Sequence, residues 1–258
     1  MVTYFLICLL AGSAAGAGTG FAGLSAATVI APMLIAFLGC PWYEAVGIGL
    51  ASDVLASACS AYVYKKNDNI DLKNGLLMVI AVFVMTTVGS YFSQYMPDME
   101  MGWFSVFMAM FMGFRFVIFP NQETHLAILD GSDKYKKILS VICGCGIGFY
   151  CGSMGVGGGL MMLFVLTFVL GYELKTAVGT SVFVMTFIAA TGAGAHFVFG
   201  DISAYILALV LCALFTLISA LIFSYFANKM EPVHTNRATG ITLIVLGAFM
   251  IAKMIASG

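Results

Sequence analysis

The stretch CGSMGVGGG at 151–159 sets Gly152, Gly155, Gly157, Gly158 and Gly159 around one serine, Ser153, between two apolar runs. A helix starting in such a stretch leaves its first N–H groups without intrahelical partners, and its dipole favours negative charge there. Backbone N–H groups and a hydroxyl can then hold an anion without a buried Arg or Lys. The apolar runs offer no central basic residue for that purpose. A second glycine-rich stretch, GAGTGFAGLS at 16–25, adds Thr19, Gly20, Gly23 and Ser25 as partners of the same kind. Some of these glycines also have a purely structural reading. Gly12, Gly16 and Gly20, like Gly144, Gly148 and Gly152, recur every four residues, the spacing of close helix packing. Gly18, Gly23, Gly155, Gly157, Gly158 and Gly159 break that spacing and favour a site.

Polar side chains inside the apolar runs are the next candidates. Asp53 stands mid-run in GLASDVLASA. A charge at the centre of a membrane helix costs about 2.5–3.5 kcal/mol on insertion scales and usually faces a cavity. Asp53 therefore reads as a proton carrier, or as a cation ligand helped by Ser52 and Ser57; a packing carboxyl paired with Arg115 is the structural alternative. Thr180 and Ser181, after the motif AVG, either line a site or bond their own helix carbonyls. His196, in GAGAHFVFGDI, reads as a gating or relay residue or as an interfacial histidine bonded to backbone. Of seven cysteines, Cys8, Cys59, Cys143, Cys145, Cys151 and Cys212 lie within apolar runs. None forms a CxxC pair or a ligand spacing with His, so they read as soft packing residues, and neither a metal nor a cofactor is expected.

These residues must be positioned by membrane helices. The chain has 258 residues, 62% apolar and 9% charged, with a mean hydropathy of +1.04. Soluble domains carry about 25% charge, and no soluble core of this size could hide so much apolar surface. The net charge of −1 excludes a basic face for nucleic acid. A spanning helix needs about 20 residues, which gives about ten segments: 3–21, 24–39, 42–64, 74–96 and 101–119, then 138–152, 156–170, 174–199, 202–227 and 237–256. The pieces 138–152 and 156–170 are expected to be too short to cross comfortably. The opening MVTYFLICLLAGSAAGA imitates a signal peptide but lacks a basic n-region, and is expected to be retained as the first segment.

The chain also repeats itself. Gly12, Gly16, Gly20 and Gly23 fall on Gly144, Gly148, Gly152 and Gly155. Ala45-Val46-Gly47 falls on Ala177-Val178-Gly179 at the same offset, and Leu38-Gly39 on Leu170-Gly171. Two related halves follow, 1–119 and 138–258, joined by a polar linker at 120–137. With an odd number of crossings per half, Lys65, Lys66, Lys73, Lys134, Lys136, Lys137, Lys175, Lys229 and Arg237 share one side. By the positive-inside rule that side is the cytoplasm, and both termini face out. The expected architecture is all-α and polytopic, with two inverted-topology repeats of about five segments each, the first pair in each short, broken or re-entrant. Inverted repeats mark secondary transporters. The expected partners are a small anion, protons and the bilayer of a bacterial inner membrane; a homo-oligomer stays open.

GFYCGSMGVGGG followed by AVGTSVFVMTFIAATGAGAHFVFGDI, with a weaker copy AVGIGLASDVLASACSAYVYKKNDNID, resembles the TauE/SafE sulfite exporter family over nearly the whole chain. The resemblance implies an inner-membrane carrier of small sulfur-containing anions such as sulfite, sulfonates or sulfoacetate. The second half matches the family pattern at Gly155, Gly158, Gly159, Thr180, Ser181 and His196. The first half departs from it: Ile48-Gly49 replaces Thr-Ser, Tyr64 stands where a His is common, and Asp53 is atypical. Two rival readings remain at this stage. One is a cation carrier built on Asp53. The other is an intramembrane serine protease pairing Ser153 with His196, which needs hydrogen-bond reach and an oxyanion hole.

Overall fold

The computed structural model describes residues 2–93, 110–111, 113–119, 133–154, 158–199 and 203–231, with short helical pieces between 233 and 252. Among the described residues there are only helices and their connections. They are α1 (Val2–Ala22), α2 (Ala27–Leu38), α3 (Trp42–Lys66), α4 (Leu72–Ser93), α5 (Asp133–Met154), α6 (Gly158–Phe164), α7 (Leu174–Phe199) and α8 (Ile206–Lys229). A π turn over Val165–Val169 continues α6, and a 3-10 turn over Ser203–Tyr205 leads into α8. Among the described residues, five stretches are long and apolar enough to cross a membrane: Val2–Ala22, Tyr43–Lys66, Leu72–Gly89, Leu174–Val198 and Ser203–Lys229. The predicted piece 101–109 and the linker residues 120–132 lie outside the described residues.

Helix ends follow from glycine. Gly23, Gly39 and Gly171 have φ of +63°, +62° and +69°, the left-handed region that only glycine enters freely. In each case the next N–H reaches back six residues: Leu24 to Gly18 O, Cys40 to Leu34 O and Tyr172 to Leu166 O. This closure satisfies carbonyls that the helix end would otherwise leave open. It turns α1 back into α2, ends α2, and ends the π turn.

The four-residue glycine rows hold the long helices together. A methyl added at Gly12 would lie 2.8 Å from Phe215 Cβ, at Gly16 2.6 Å from Ser219 Cβ, and at Gly20 2.8 Å from Ser224 N. On α5, Gly144 meets Met78 and Ala81, Gly148 lies against Val82, and Gly152 against Thr86. Numbers rise together in both seams, so α1 runs parallel to α8 and α5 parallel to α4. By contrast α3 runs antiparallel to α7, with Gly179 against Tyr64, Gly192 against Leu50, and His196 against Tyr43. Outward faces such as Ile80, Phe83 and Val84 on α4, and Leu207, Val210, Leu214 and Ile218 on α8, are exposed and apolar, as a lipid-facing surface must be.

Two lengths differ from the sequence expectation. Helix α5 starts at Asp133 and spans 22 residues, about 33 Å, because the charged turn Asp133–Lys137 continues the apolar run. Its apolar part, Lys137–Gly152, is nevertheless shorter than the five full-length stretches. The short members are the second of each pair: α2 with 12 residues, and α6 with 7 plus the π turn of 5, each about 18 Å long. A hydrocarbon core is about 30 Å thick, so neither spans it.

At one end of the bundle the connections lock. Asn69 Nδ2 donates to Asn228 Oδ1 at 2.7 Å, and Lys175 Nζ to the carbonyls of Asn228 and Met230 at 3.1 and 2.6 Å. This end gathers Lys65, Lys66, Lys73, Lys175 and Lys229.

Candidate functional site

The two short helices start beside each other. A methyl at Gly159, in the first turn of α6, would meet Gly23 O and lie 2.7 Å from Ser25 N and 2.8 Å from Leu24 Cα. These neighbours are all backbone, so no side chain can move aside, and the contact admits glycine only. The first tip is braced from two sides. Thr19 Oγ1 lies 2.9 Å from Leu24 O and 3.0 Å from Ala15 O, its one proton shared between them. From α7, Ser181 Oγ donates to Gly23 O at 3.2 Å. The amides of Ser25 and Ala26 precede the first bond of α2, from Thr28 N–H to Ser25 O at 3.1 Å. The Ser25 hydroxyl is buried and has no hydrogen-bond partner.

Helix α3 passes this start with Asp53. The Asp53 side chain is fully buried; Oδ1 accepts from Ser57 Oγ at 2.6 Å, while Oδ2 is buried without a partner. Ser25 and the Ala26 amide face the carboxyl. Arg115 is not its partner: that guanidinium lies 5.0 Å from the Phe119 ring centroid and 5.3 Å from that of Phe168. Ser52, one of its expected helpers, bonds its own helix at Ile48 O instead. At the second tip, a methyl on Gly158 would meet Cys151 Sγ and lie 3.6 Å from Met185 Sδ.

Gly23, Ser25, Gly159, Ser181 and Asp53 thus gather around the start of α2. Thr180, next to Ser181, turns the other way and accepts the Asp71 N–H at 3.1 Å. Gly20 packs on α8, and its carbonyl accepts from Tyr64 Oη at 2.9 Å. Gly152 packs on α4, and Gly18 sits against the Leu24 side chain. His196 is 15 positions beyond Ser181, about 22 Å along α7. There its Nδ1 meets Tyr43 O at 2.9 Å and its ring stacks on Tyr43 with centroids 4.1 Å apart. The side chain of Ser153, and Gly155 and Gly157 altogether, lie outside the described residues.

One cluster escaped the sequence reading. Asp71 Oδ2 accepts from Tyr172 Oη at 2.5 Å and from Asn74 Nδ2 at 2.7 Å, and Oδ1 from the Asn74 amide at 3.0 Å. Burial pushes the Asp71 carboxyl up, but these donors outweigh it and hold the group below the usual carboxylate range. The Tyr172 phenol is pushed up by burial and by the carboxylate beside it. Nothing in the local sequence marks Asp71 and Tyr172 as neighbours, since they are 101 residues apart.

Chemically, the cluster offers a helix start with a buried, unpartnered hydroxyl, next to a carboxyl that the Ala26 amide faces. It holds neither a nucleophile with a base nor a ring of ligands for a metal. The family model described as sulfite exporter TauE/SafE matches residues 8–250. The chain is 26% identical to the probable membrane transporter protein YunE of Bacillus subtilis (strain 168), across 98% of this chain and 99% of that protein. It is 23% identical to the probable membrane transporter protein YdhB of the same organism, across 90% of this chain and 94% of that one. No solved structure matches significantly.

Proposed function

The chain belongs to the TauE/SafE sulfite exporter family of membrane transporters, and from that premise we propose that it is a secondary carrier of a small sulfur-containing anion, of the sulfite, sulfonate or sulfoacetate class, working by alternating access. The observation that carries this reading is the meeting of the two half-length helices, with Gly159 against Gly23–Ser25. A helix start with open amides attracts an anion without a basic side chain. Discontinuous helices that meet between two repeats are where secondary transporters hold their substrates.

The halves 1–119 and 138–258, joined by a linker at 120–137, would be inverted copies. The repeat pairs α1 with α5, α3 with α7 and α4 with α8. Short connections make α4 opposite to α3, and α8 opposite to α7. With α3 antiparallel to α7, and α1 and α5 parallel to α8 and α4, each equivalent pair points in opposite directions. The lysine-rich end would face the cytoplasm of a bacterial inner membrane and both termini the outside.

Counterflow of labelled sulfite, sulfoacetate or taurine into proteoliposomes tests the reading. The wild type should exchange at least one of these saturably. Gly159→Ala should cut exchange more than tenfold with folding intact, because its methyl meets backbone. Gly146→Ala, whose methyl meets nothing within 4 Å, should exchange like the wild type. Full exchange by Gly159→Ala would remove the tips from the site.

A further inference from the structure

The carboxyl of Asp53 is half-satisfied in an unusual way. One oxygen is bonded to Ser57, and the other is buried and bare beside a second bare group, the Ser25 hydroxyl. A buried acceptor short of donors is costly, and an ionised one at this depth more so. A proton on Oδ2 changes the chemistry of the pair: the carboxyl gains a donor, and the hydroxyl can accept from it.

Among the described residues no other titratable group takes over that role. Helix α2, which packs on α3 beside Asp53, has no ionisable side chain. Those of the other helices packed on α3 are Tyr4 and Cys8 on α1, Lys175 and His196 on α7, and Cys212, Tyr225 and Lys229 on α8. On α3 itself they are Tyr43, Glu44, Cys59, Tyr62, Tyr64, Lys65 and Lys66. The groups that act on the carboxyl are Ser57, Ser25 and the Ala26 amide, and none of the ionisable groups is among them.

Resting on the anion-carrier reading, we propose that Asp53 binds a co-transported proton, and that the ionised carboxylate and the substrate anion compete for the start of α2. Ionised, Asp53 is a tethered anion facing Ser25 and the Ala26 amide, and it repels a second negative charge. Taking up one proton from water on one side of the membrane turns the carboxylate into a neutral carboxyl and leaves the helix start to the anion. Release of the anion and of that proton on the other side restores the carboxylate. One proton therefore moves with each anion. The coupling is reciprocal: bound anion raises proton affinity by the factor by which the proton raises anion affinity. Met185 holds the equivalent place in the second half, so one carboxyl serves the whole carrier.

The test uses full-length protein in liposomes with a pH-sensitive dye inside and sulfoacetate as the probe, since it stays fully ionised across the neutral range. In the wild type, inward sulfoacetate should acidify the lumen, and an outside-acid gradient should speed uptake at least fivefold. Asp53→Asn keeps the size and the Ser57 bond; the protons entering per labelled sulfoacetate taken up should fall at least tenfold, and the response to the gradient should be lost. Asp53→Glu should regain acidification. Persisting acidification in Asp53→Asn would overturn the inference, as would a wild-type signal that follows sodium rather than pH. Loss of counterflow in folded Asp53→Asn would also overturn it, by making Asp53 part of the anion site or the scaffold. Absent wild-type counterflow with sulfite, sulfoacetate and taurine would instead defeat the carrier reading beneath it.

Discussion

The start of α2 and the start of α6 share a backbone plan and differ in chemistry. Both follow a long helix whose glycine row packs on the other half, both open a helix about 18 Å long, and they touch at Gly159. Yet the first is faced by Asp53, Ser57 and Ser25, and the second by Met185 and Cys151. In the proposed carrier the backbone of both tips would hold the anion. Among the described residues the carboxyl stands at the first tip only, so in the proposed carrier the first tip would handle the proton.

Making the tips alike should have the largest effect. Asp53→Leu removes the only carboxyl at either tip among the described residues and should lower gradient-driven sulfoacetate uptake at least tenfold. Met185→Leu replaces one flexible apolar side chain with another of similar volume. Such swaps cost under about 1.5 kcal/mol, so uptake should stay within twofold. Equal losses in the two variants, measured in the same liposomes, would end the distinction between an active and a passive tip.

A smaller effect comes from what crowds each glycine. At Gly159 the obstacle is backbone of the other half, whereas at Gly158 it is Cys151 Sγ, the end of a side chain. Gly158→Ala should destabilise by about 1–3 kcal/mol through overpacking, seen as a lowered melting temperature in detergent. Adding Cys151→Ala removes the obstacle and should return most of that loss, a coupling expected only between touching residues. No side-chain deletion should rescue Gly159→Ala. If Cys151→Ala leaves Gly158→Ala unchanged, the second tip is as backbone-limited as the first.

How much of this was legible without coordinates depends on the range of the signal. The hydrophobic runs mark nearly every helix, since lipid demands apolar length from each segment independently. Glycine rows announce close packing, and the rows at 12–20 and 144–152 do pack on backbone. Where packing needs a partner, the sequence is silent on who it is: nothing local says that Gly16 meets α8 rather than its own half. The apolar part of α5, Lys137–Gly152, matches the hydrophobic run, while its charged first turn from Asp133 is not marked by hydropathy, because a helix can carry lysines past the lipid boundary. Asp53 stands out from sequence because a buried carboxyl is rare, but Ser25 as its neighbour follows only from how α1 folds back at Gly23. Thr180 and Ser181 show the limit most plainly, adjacent in sequence and pointing to different clusters.

The same comparison extends to the far ends of the two short helices, where the smallest effect is expected. Both end on a left-handed glycine, Gly39 and Gly171, followed by Cys40 in one and Tyr172 in the other. Only the second end ties itself to a charge, through Tyr172 Oη to Asp71. Because the folded state holds Asp71 below its ordinary value, this pairing stabilises the fold above the unfolded pKa, about 3.9, and the contribution fades as pH falls through the lower folded value. Tyr172→Phe removes one donor and raises the folded value toward the unfolded one. The variant should therefore melt earlier at pH 7, by an amount equivalent to about 1 kcal/mol for one hydrogen bond. The gap from wild type should narrow as the buffer is taken below about pH 4 and on through the lower folded value, where the carboxyl becomes protonated in both proteins. A gap of equal size at pH 7 and pH 3 would mean that the phenol contributes packing rather than a bond to a carboxylate. The two far ends would then be as alike in chemistry as they are in backbone.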